Sequence, residues 1–459
     1  MLFSGSAVPT DQIRMAERAW DDRDSTGLLD TVGRQRTTMK KRILLLTSAE
    51  PGYGPLSTTE KRFPLGLGFL IAVLRKAGHE VFFVDNYLAR SDEIATGYLQ
   101  KNNIDYVGVY SNTLCFRDTV RIITEALDQR AHHGWRGQVM VGGPHASLFP
   151  HSFPEGTDFV VAGEGERTIV AIVNGTVPAG VVQGEKTEEL DRLPMPAYDC
   201  FQDDRYWVRV PPCPDYPIYT MNTSRGCPFG CRFCSVKGVW GRTYRAFSAQ
   251  RIVNDIAALQ EQYGIKGVYF REDHFTFDKE RVREFATLLT ERRMDIKWFC
   301  ESRISDIDAG MLRLMKQSGC QWIYFGCESG SPRVLKHMRK GITVEQIHNV
   351  MSLCRQEGIA TYTSWVAGVP TETQAELQMT VDLIADIKPT QACVNVFIGL
   401  PGSEMYEELI ASDEFYGLDE IGIAYSTKYN DLVKRFYGAN ADRFYFTPEP
   451  QLVSTEARS

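Results

Sequence analysis

Short apolar runs alternate with stretches of helical spacing along most of the chain, and the alternation occurs in two separate series. In the first, residues 43–46, 81–84, 107–110, 139–142 and 159–162 are strand-length, and residues 65–76, 98–101 and 120–129 carry the helix period between them. Strands that alternate with helices predict a doubly wound parallel sheet, here a Rossmann-like domain over residues 41–184. The second series has strand runs at 218–222, 267–271, 297–300, 322–327, 363–366 and 392–398, with helical patterns at 249–263, 279–293, 309–318 and 344–357. That pattern predicts a partial (β/α)6 barrel over residues 218–403, too short for the closed eight-fold form. The fold class is therefore α/β, with two sheet domains in tandem.

Three other segments break the pattern. Residues 185–217 are rich in proline (Pro194, Pro196, Pro211, Pro212, Pro214), which predicts a semi-rigid linker between the domains. Residues 1–40 are polar, with one helix-like stretch at 11–21, and are expected to form a peripheral extension. Residues 404–459 are aromatic and poorly periodic, which suggests a small cap over the barrel.

At 459 residues the chain exceeds the usual size of one core. A hydrophobic share of 43% and a charged share of 24% are ordinary for a globular protein. The formal net charge of −7 argues against a nucleic-acid surface, because phosphate binding needs clustered Lys and Arg. No apolar run reaches the length needed to span a bilayer, and the start lacks a signal-peptide layout, so a cytoplasmic protein is expected. The 11 cysteines, an odd number and scattered, read as reduced thiols with one ligand cluster.

That cluster is Cys227, Cys231 and Cys234, spaced C-x3-C-x2-C. Three thiolates hold three irons of a four-iron cubane and leave the fourth open to a ligand, whereas an electron-transfer cluster needs a fourth cysteine. Gly226, Pro228 and Gly230 suit a tight loop around a compact inorganic body. A structural zinc ion is the alternative, but it wants four ligands in paired spacings, and Cys213 stands alone. In the first sheet, ligands belong beyond the carboxyl ends of the strands, where Ser111, Asn112, Thr113 and the turn Gly142–Gly143–Pro144–His145 would lie. That turn reads equally as an ordinary strand-to-helix connection.

At the cysteine loop the chain resembles the radical S-adenosylmethionine enzymes, with Phe233 in the aromatic position of the motif. The resemblance implies a [4Fe-4S] cluster whose open iron takes the amine and carboxylate of S-adenosylmethionine, reductive cleavage to a 5′-deoxyadenosyl radical, and hydrogen abstraction from a small-molecule substrate. It also implies a one-electron donor: a flavodoxin, a ferredoxin or a dedicated reductase. In a parallel barrel the working groups sit at the strand ends. Glu272 or Asp273 is then the acceptor for the α-amino group, the sequence not separating them, and Arg303 suits the methionine carboxylate. Glu328 and Ser329 lie in a turn that resembles the family's ribose site, and Gly368 would let the adenine approach the backbone. His274 is the general acid or base by position, or equally a histidine satisfied within the fold. Tyr216, with Tyr219, Trp240 and Tyr244, flanks the loop and is a second catalytic candidate, though packing is the commoner role for such aromatics.

Residues 41–184 resemble the cobalamin-binding domain fused to many of these enzymes, through Pro64–Leu65–Gly66–Leu67–Gly68, Ser111 with Thr113, Gly142–Gly143 and Gly163–Glu164–Gly165–Glu166. The D-x-H-x-x-G motif that supplies a lower imidazole ligand is absent; the chain reads Asp85–Asn86–Tyr87–Leu88 where the motif is sought. Bound cobalamin would touch Ser111, Thr113, Gly142 and Gly143 and would lack a protein imidazole. The leading expectation is cobalamin-dependent C-methylation, with one S-adenosylmethionine as methyl source and another as radical source. The alternatives are diol dehydration of an aminoglycoside-like sugar without bound cobalamin, an oxygen-independent oxidative cyclisation, and a cluster-bearing scaffold or electron carrier that is no enzyme.

Overall fold

A computed structural model describes residues 39–49, 63–88, 98–208, 217–418 and 422–427. The helix-like stretch at 11–21, Cys213, Tyr216 and the tail after residue 427 lie outside the described residues.

The first sheet holds β1 (Arg42–Thr47), β2 (Glu80–Asp85), β3 (Tyr106–Tyr110), β4 (Gln138–Gly142), β5 (Phe159–Ala162) and β6 (Gly180–Gln183). Its order is β2-β1-β3-β4-β5-β6, parallel throughout. Ile43, Leu44, Leu45 and Leu46 are all buried because helices cover both faces, which is why β1 reads as an unbroken apolar run and not as an alternation. Strand β6, not anticipated from the sequence, is a four-residue edge strand with Val181 exposed, and so lacks the buried run that marks the others. The strand order reverses between β1 and β3, so ligand loops follow those two strands.

That geometry corrects one sequence reading. Asp85 ends the edge strand β2 and Asn86 follows it, away from the reversal, and Asp85 is tied to Thr47 Oγ1 at 2.9 Å and to the Tyr206 hydroxyl.

The second sheet contains β7 (Ile218–Met221), then a ribbon of β8 (Ser224–Arg225) with β9 (Arg245–Ala246), then β10 (Gly267–Phe270), β11 (Lys297–Ser302), β12 (Cys320–Glu328), β13 (Ala360–Ala367) and β14 (Gln391–Val396). Six of these form the parallel order β7-β10-β11-β12-β13-β14, the partial barrel read from the sequence. Helices start where capping chemistry dictates: Ser248, Asp278, Asp308 and Ser331 each accept a hydrogen bond from the third residue beyond, and Thr343 and Thr373 form full capping boxes. After β14, helix Glu404–Ile410 and the hairpin of β15 (Phe415–Leu418) with β16 (Ala424–Ser426) pack Met405, Leu409 and Ala424 against Phe397 and Phe233.

The described part of the 185–217 segment is more than a spacer. Leu190, Leu193, Ala197, Tyr198, Phe201 and Tyr206 are buried, and together with Phe63 and Tyr219 they merge the two domain interiors into one apolar core. Tyr219 belongs to this aromatic cluster, its ring 4.9 Å from Phe63 and 5.7 Å from Tyr198, so it packs and does not face the cysteine loop.

Candidate active site

The cysteine loop leaves β8 through Gly226, whose φ of +82° and whose position against the Thr243 carbonyl leave no room for a Cβ. Cys227, Cys231 and Cys234 are unpaired thiols. Burial pushes the Cys227 thiol up and that of Cys234 to about 11, so the protons must be displaced by metal when a cluster assembles. Arg303 Nη1 lies 3.3 Å from Cys231 Sγ, a cation placed where thiolate charge would build up, and its guanidinium stacks 4.0 Å from the Phe229 ring centroid. Among the described residues no three His, Cys, Asp or Glu side chains converge on a single ion-sized point. Three thiols on one loop, beside the Arg303 cation and the Phe229 ring, are a donor set that suits an iron-sulfur cluster.

The acidic pair divides in two. Glu272 is buried and accepts from the Ser224 amide at 2.9 Å, from the Thr223 amide and hydroxyl, and from Arg281 at 3.5 Å, so it buckles the chain segment that enters the loop. Asp273 accepts only the Gly226 amide at 3.2 Å among the described residues. Burial pushes its carboxyl up to about 6, with Glu272 adding to the shift.

His274 does not face a pocket. It is 1% exposed, Nε2 is bonded to Asp306, and Nδ1 points at Cys227 Sγ 3.9 Å away. With both ring nitrogens engaged it supports the cluster loop, and the general acid or base role expected from its position finds no open face. Tyr244 packs its ring 4.7 Å from that of Phe277.

At the end of β12, Glu328 is buried, adopts a left-handed φ of +67°, and accepts from Lys340 Nζ at 2.6 Å. Phe233 lies under the same ammonium at 5.9 Å. Ser329 turns away: it is fully buried and holds the Ser331 amide at 3.1 Å beside Thr380. Gly368, at φ +80°, is fixed by its amide to Glu372 Oε2 at 2.6 Å.

A cavity of about 770 Å³ opens at the carboxyl ends of the first sheet and is bounded on the far side by Asn222, Ser224, Arg225 and Trp240. Gly142 and Gly143 line it. The neighbouring loop does so through Asn112 and Leu114, whereas Ser111 and Thr113 turn inward, to Thr119 at 3.2 Å and to His145 at 3.2 Å. His145 is a core residue: it stacks 4.1 Å from Phe116, and burial pushes its imidazole down to about 4.

The two domains meet in a buried ion cluster. Arg225, the last residue before Gly226, donates to Glu164 at 2.7 Å and to Glu166 at 2.5 Å, and Arg245 closes on Glu164 from the other side. Burial pushes the Glu164 carboxyl up, but the Arg245 hydrogen bonds and the Arg225 charge outweigh it and hold the group below the usual range. The sequence reading used the G-E-G-E turn only as a likeness and missed these arginines. The available signal was that a doubly acidic turn, if buried, needs cationic partners. Arg225→Met is expected to destabilise the fold by about 3–5 kcal/mol by leaving two carboxylates with too little compensation, measured as a lowered urea midpoint at unchanged slope.

Comparison with known proteins identifies the two domains. The Radical SAM superfamily profile matches residues 221–384 and the B12 binding domain profile residues 58–173. An uncharacterized methyltransferase of Pyrococcus horikoshii is 30% identical over 376 residues, covering 76% of this chain and 79% of that one. The cytidylyl-2-hydroxyethylphosphonate methyltransferase of Streptomyces wedmorensis is 25% identical, with 83% of each chain covered. The anaerobic magnesium-protoporphyrin IX monomethyl ester cyclase of Rubrivivax gelatinosus is 26% identical over 59% of this chain and 53% of its own. In fold, the chain is similar to the radical S-adenosylmethionine methyltransferase TsrM of Kitasatospora setae, solved with cobalamin and a [4Fe-4S] cluster, at a TM-score of 0.72 and 18% identity over 90% of this chain and 93% of that one.

Proposed function

Because the chain belongs to the radical S-adenosylmethionine superfamily, in the branch with a B12-binding domain ahead of the barrel, we propose that it methylates an unactivated carbon of a natural-product or lipid-like small molecule. The observation that carries this reading is the cavity of about 770 Å³, walled on one side by the first sheet and on the other by the arginine that leads into the cysteine loop. When bound, S-adenosylmethionine and the cluster supply a carbon-centred radical, and the corrinoid supplies a methyl group.

The chain's own residues then have distinct tasks. Asp273 accepts from the α-ammonium of S-adenosylmethionine and Arg303 faces its carboxylate, which together fix the methionine end at the open corner. Glu328 takes the ribose hydroxyls, and the strand-end turn at Gly368 receives the adenine. Gly142, Asn112 and Leu114 shape the corrinoid cavity. A low-potential one-electron donor, of flavodoxin or ferredoxin type or a dedicated reductase, completes the system. Among the described residues no helix is long and apolar enough to cross a membrane.

Anaerobic reconstitution with iron, sulfide and hydroxocobalamin tests the reading. About one corrinoid per chain is expected, together with S-adenosylhomocysteine when reduced corrinoid and S-adenosylmethionine are both supplied. A fully clustered protein that retains no corrinoid would overturn methylation and favour the sugar dehydration.

A further inference from the structure

We propose that Lys340, outside every strand end, is a positioning residue for the nucleoside half of S-adenosylmethionine; this rests on the reading that Glu328 takes the ribose. A lysine is seldom buried unless paired, and Lys340 is 6% exposed. Its ammonium donates to Glu328 Oε1 at 2.6 Å. Among the described residues the other oxygen, Oε2, accepts no hydrogen bond, which leaves it for an outside donor. The backbone is shaped around this pair. Glu328 holds a left-handed conformation that is strained for a non-glycine residue, at a point where the register between β12 and β13 shifts. At Gly326 a Cβ would strike Glu328 Oε1 and come within 2.7 Å of Lys340 Nζ, so the glycine keeps the space the pair occupies.

Lys340 also joins this corner to the rest of the site. Its carbonyl accepts from Arg303 Nη2, and its ammonium lies over the ring of Phe233 in the cysteine loop. One residue thus touches the groups assigned to the carboxylate, the ribose and the cluster loop. Its side chain hydrogen-bonds at the ribose corner and otherwise meets only the Phe233 ring at 5.9 Å, whereas the Arg303 contact uses the backbone. Substituting the side chain should therefore separate the two halves of the ligand.

The test is a cycle of four clustered, anaerobic proteins: wild type, Glu328→Gln, Lys340→Met and the double variant, which removes both charges together and so avoids stranding either one. Calorimetry measures S-adenosylmethionine binding, and the electron paramagnetic resonance shift of the reduced cluster measures binding of L-methionine, which has no ribose. We expect S-adenosylmethionine to bind about tenfold to a hundredfold more weakly to Glu328→Gln and about tenfold more weakly to Lys340→Met. The double variant should be no worse than Glu328→Gln, and methionine binding should be unchanged in all four. Wild-type affinity in Glu328→Gln overturns the ribose assignment itself. If Glu328→Gln is weakened, three results overturn the role of Lys340: wild-type affinity in Lys340→Met, additive losses in the double variant, or a loss of methionine binding in Lys340→Met equal to that of S-adenosylmethionine.

Discussion

Cys227→Ala, Cys231→Ala or Cys234→Ala each leaves the protein without its cluster: iron falls from about four per chain to near zero, and S-adenosylmethionine is no longer cleaved. The size of the effect follows from the loop. On the three-ligand reading each thiol would be one of three protein anchors, so removing any of them would leave only two attachments. Burial pushes the Cys227 and Cys234 thiols up, and the gain from metal coordination is what would drive them to the thiolate form; a two-thiolate site has less of that gain to draw on. Cys213→Ala serves as the control and should retain full iron and the visible spectrum, because its spacing places it outside the trio. Loss of the cluster in that variant would mean that the three-ligand assignment is wrong.

Gly142→Val should abolish corrinoid binding while the protein stays folded. At Gly142 a Cβ would meet nothing closer than Val161, at 3.7 Å, so the backbone tolerates a side chain, and the added methyl groups take up space at the cavity wall. Gly143 is the wrong place for this experiment. Its φ is +110° and a Cβ there would come within 2.6 Å of the Ser111 carbonyl, so a substitution breaks the turn itself and confuses misfolding with blocked binding. The measurement is corrinoid retained after gel filtration, with iron content and the melting transition as folding controls. Full retention in a folded Gly142→Val protein would take that residue off the binding wall.

Much of the fold could be read before any coordinates because period and capping are local properties. Helix Ala249–Tyr263 begins at Ser248 and ends before Gly264, both visible in the chain, and the six barrel strands follow from their apolar runs. The site was legible where chemistry sits in consecutive residues, as in the cysteine loop. It was illegible where two neighbours compete for one direction. Glu272 and Asp273 are equivalent as a string, and only the approach of Thr223, Ser224 and Arg281 commits the first of them to the fold. The family likeness points to Ser111 and Thr113 after β3, but there the backbone turns Asn112 and Leu114 toward the cavity. Lys340 gave no signal at all: it follows a short helix, far from any strand end, and an isolated lysine is normally a solvated one.

The segment between the sheets has one last consequence, for how such a protein can be built from parts. Because Tyr198, Phe201 and Tyr206 wedge against Phe63 of the first domain and Tyr219 of the second, cutting the chain near residue 208 would strip a shared aromatic interior from both pieces. Neither half would keep its buried rings covered. A B12-type domain transplanted from a relative would have to bring its own matching wedge, and because Phe63 both holds that wedge and lines the cavity, a mismatch in the shared interior would reach the cavity wall as well.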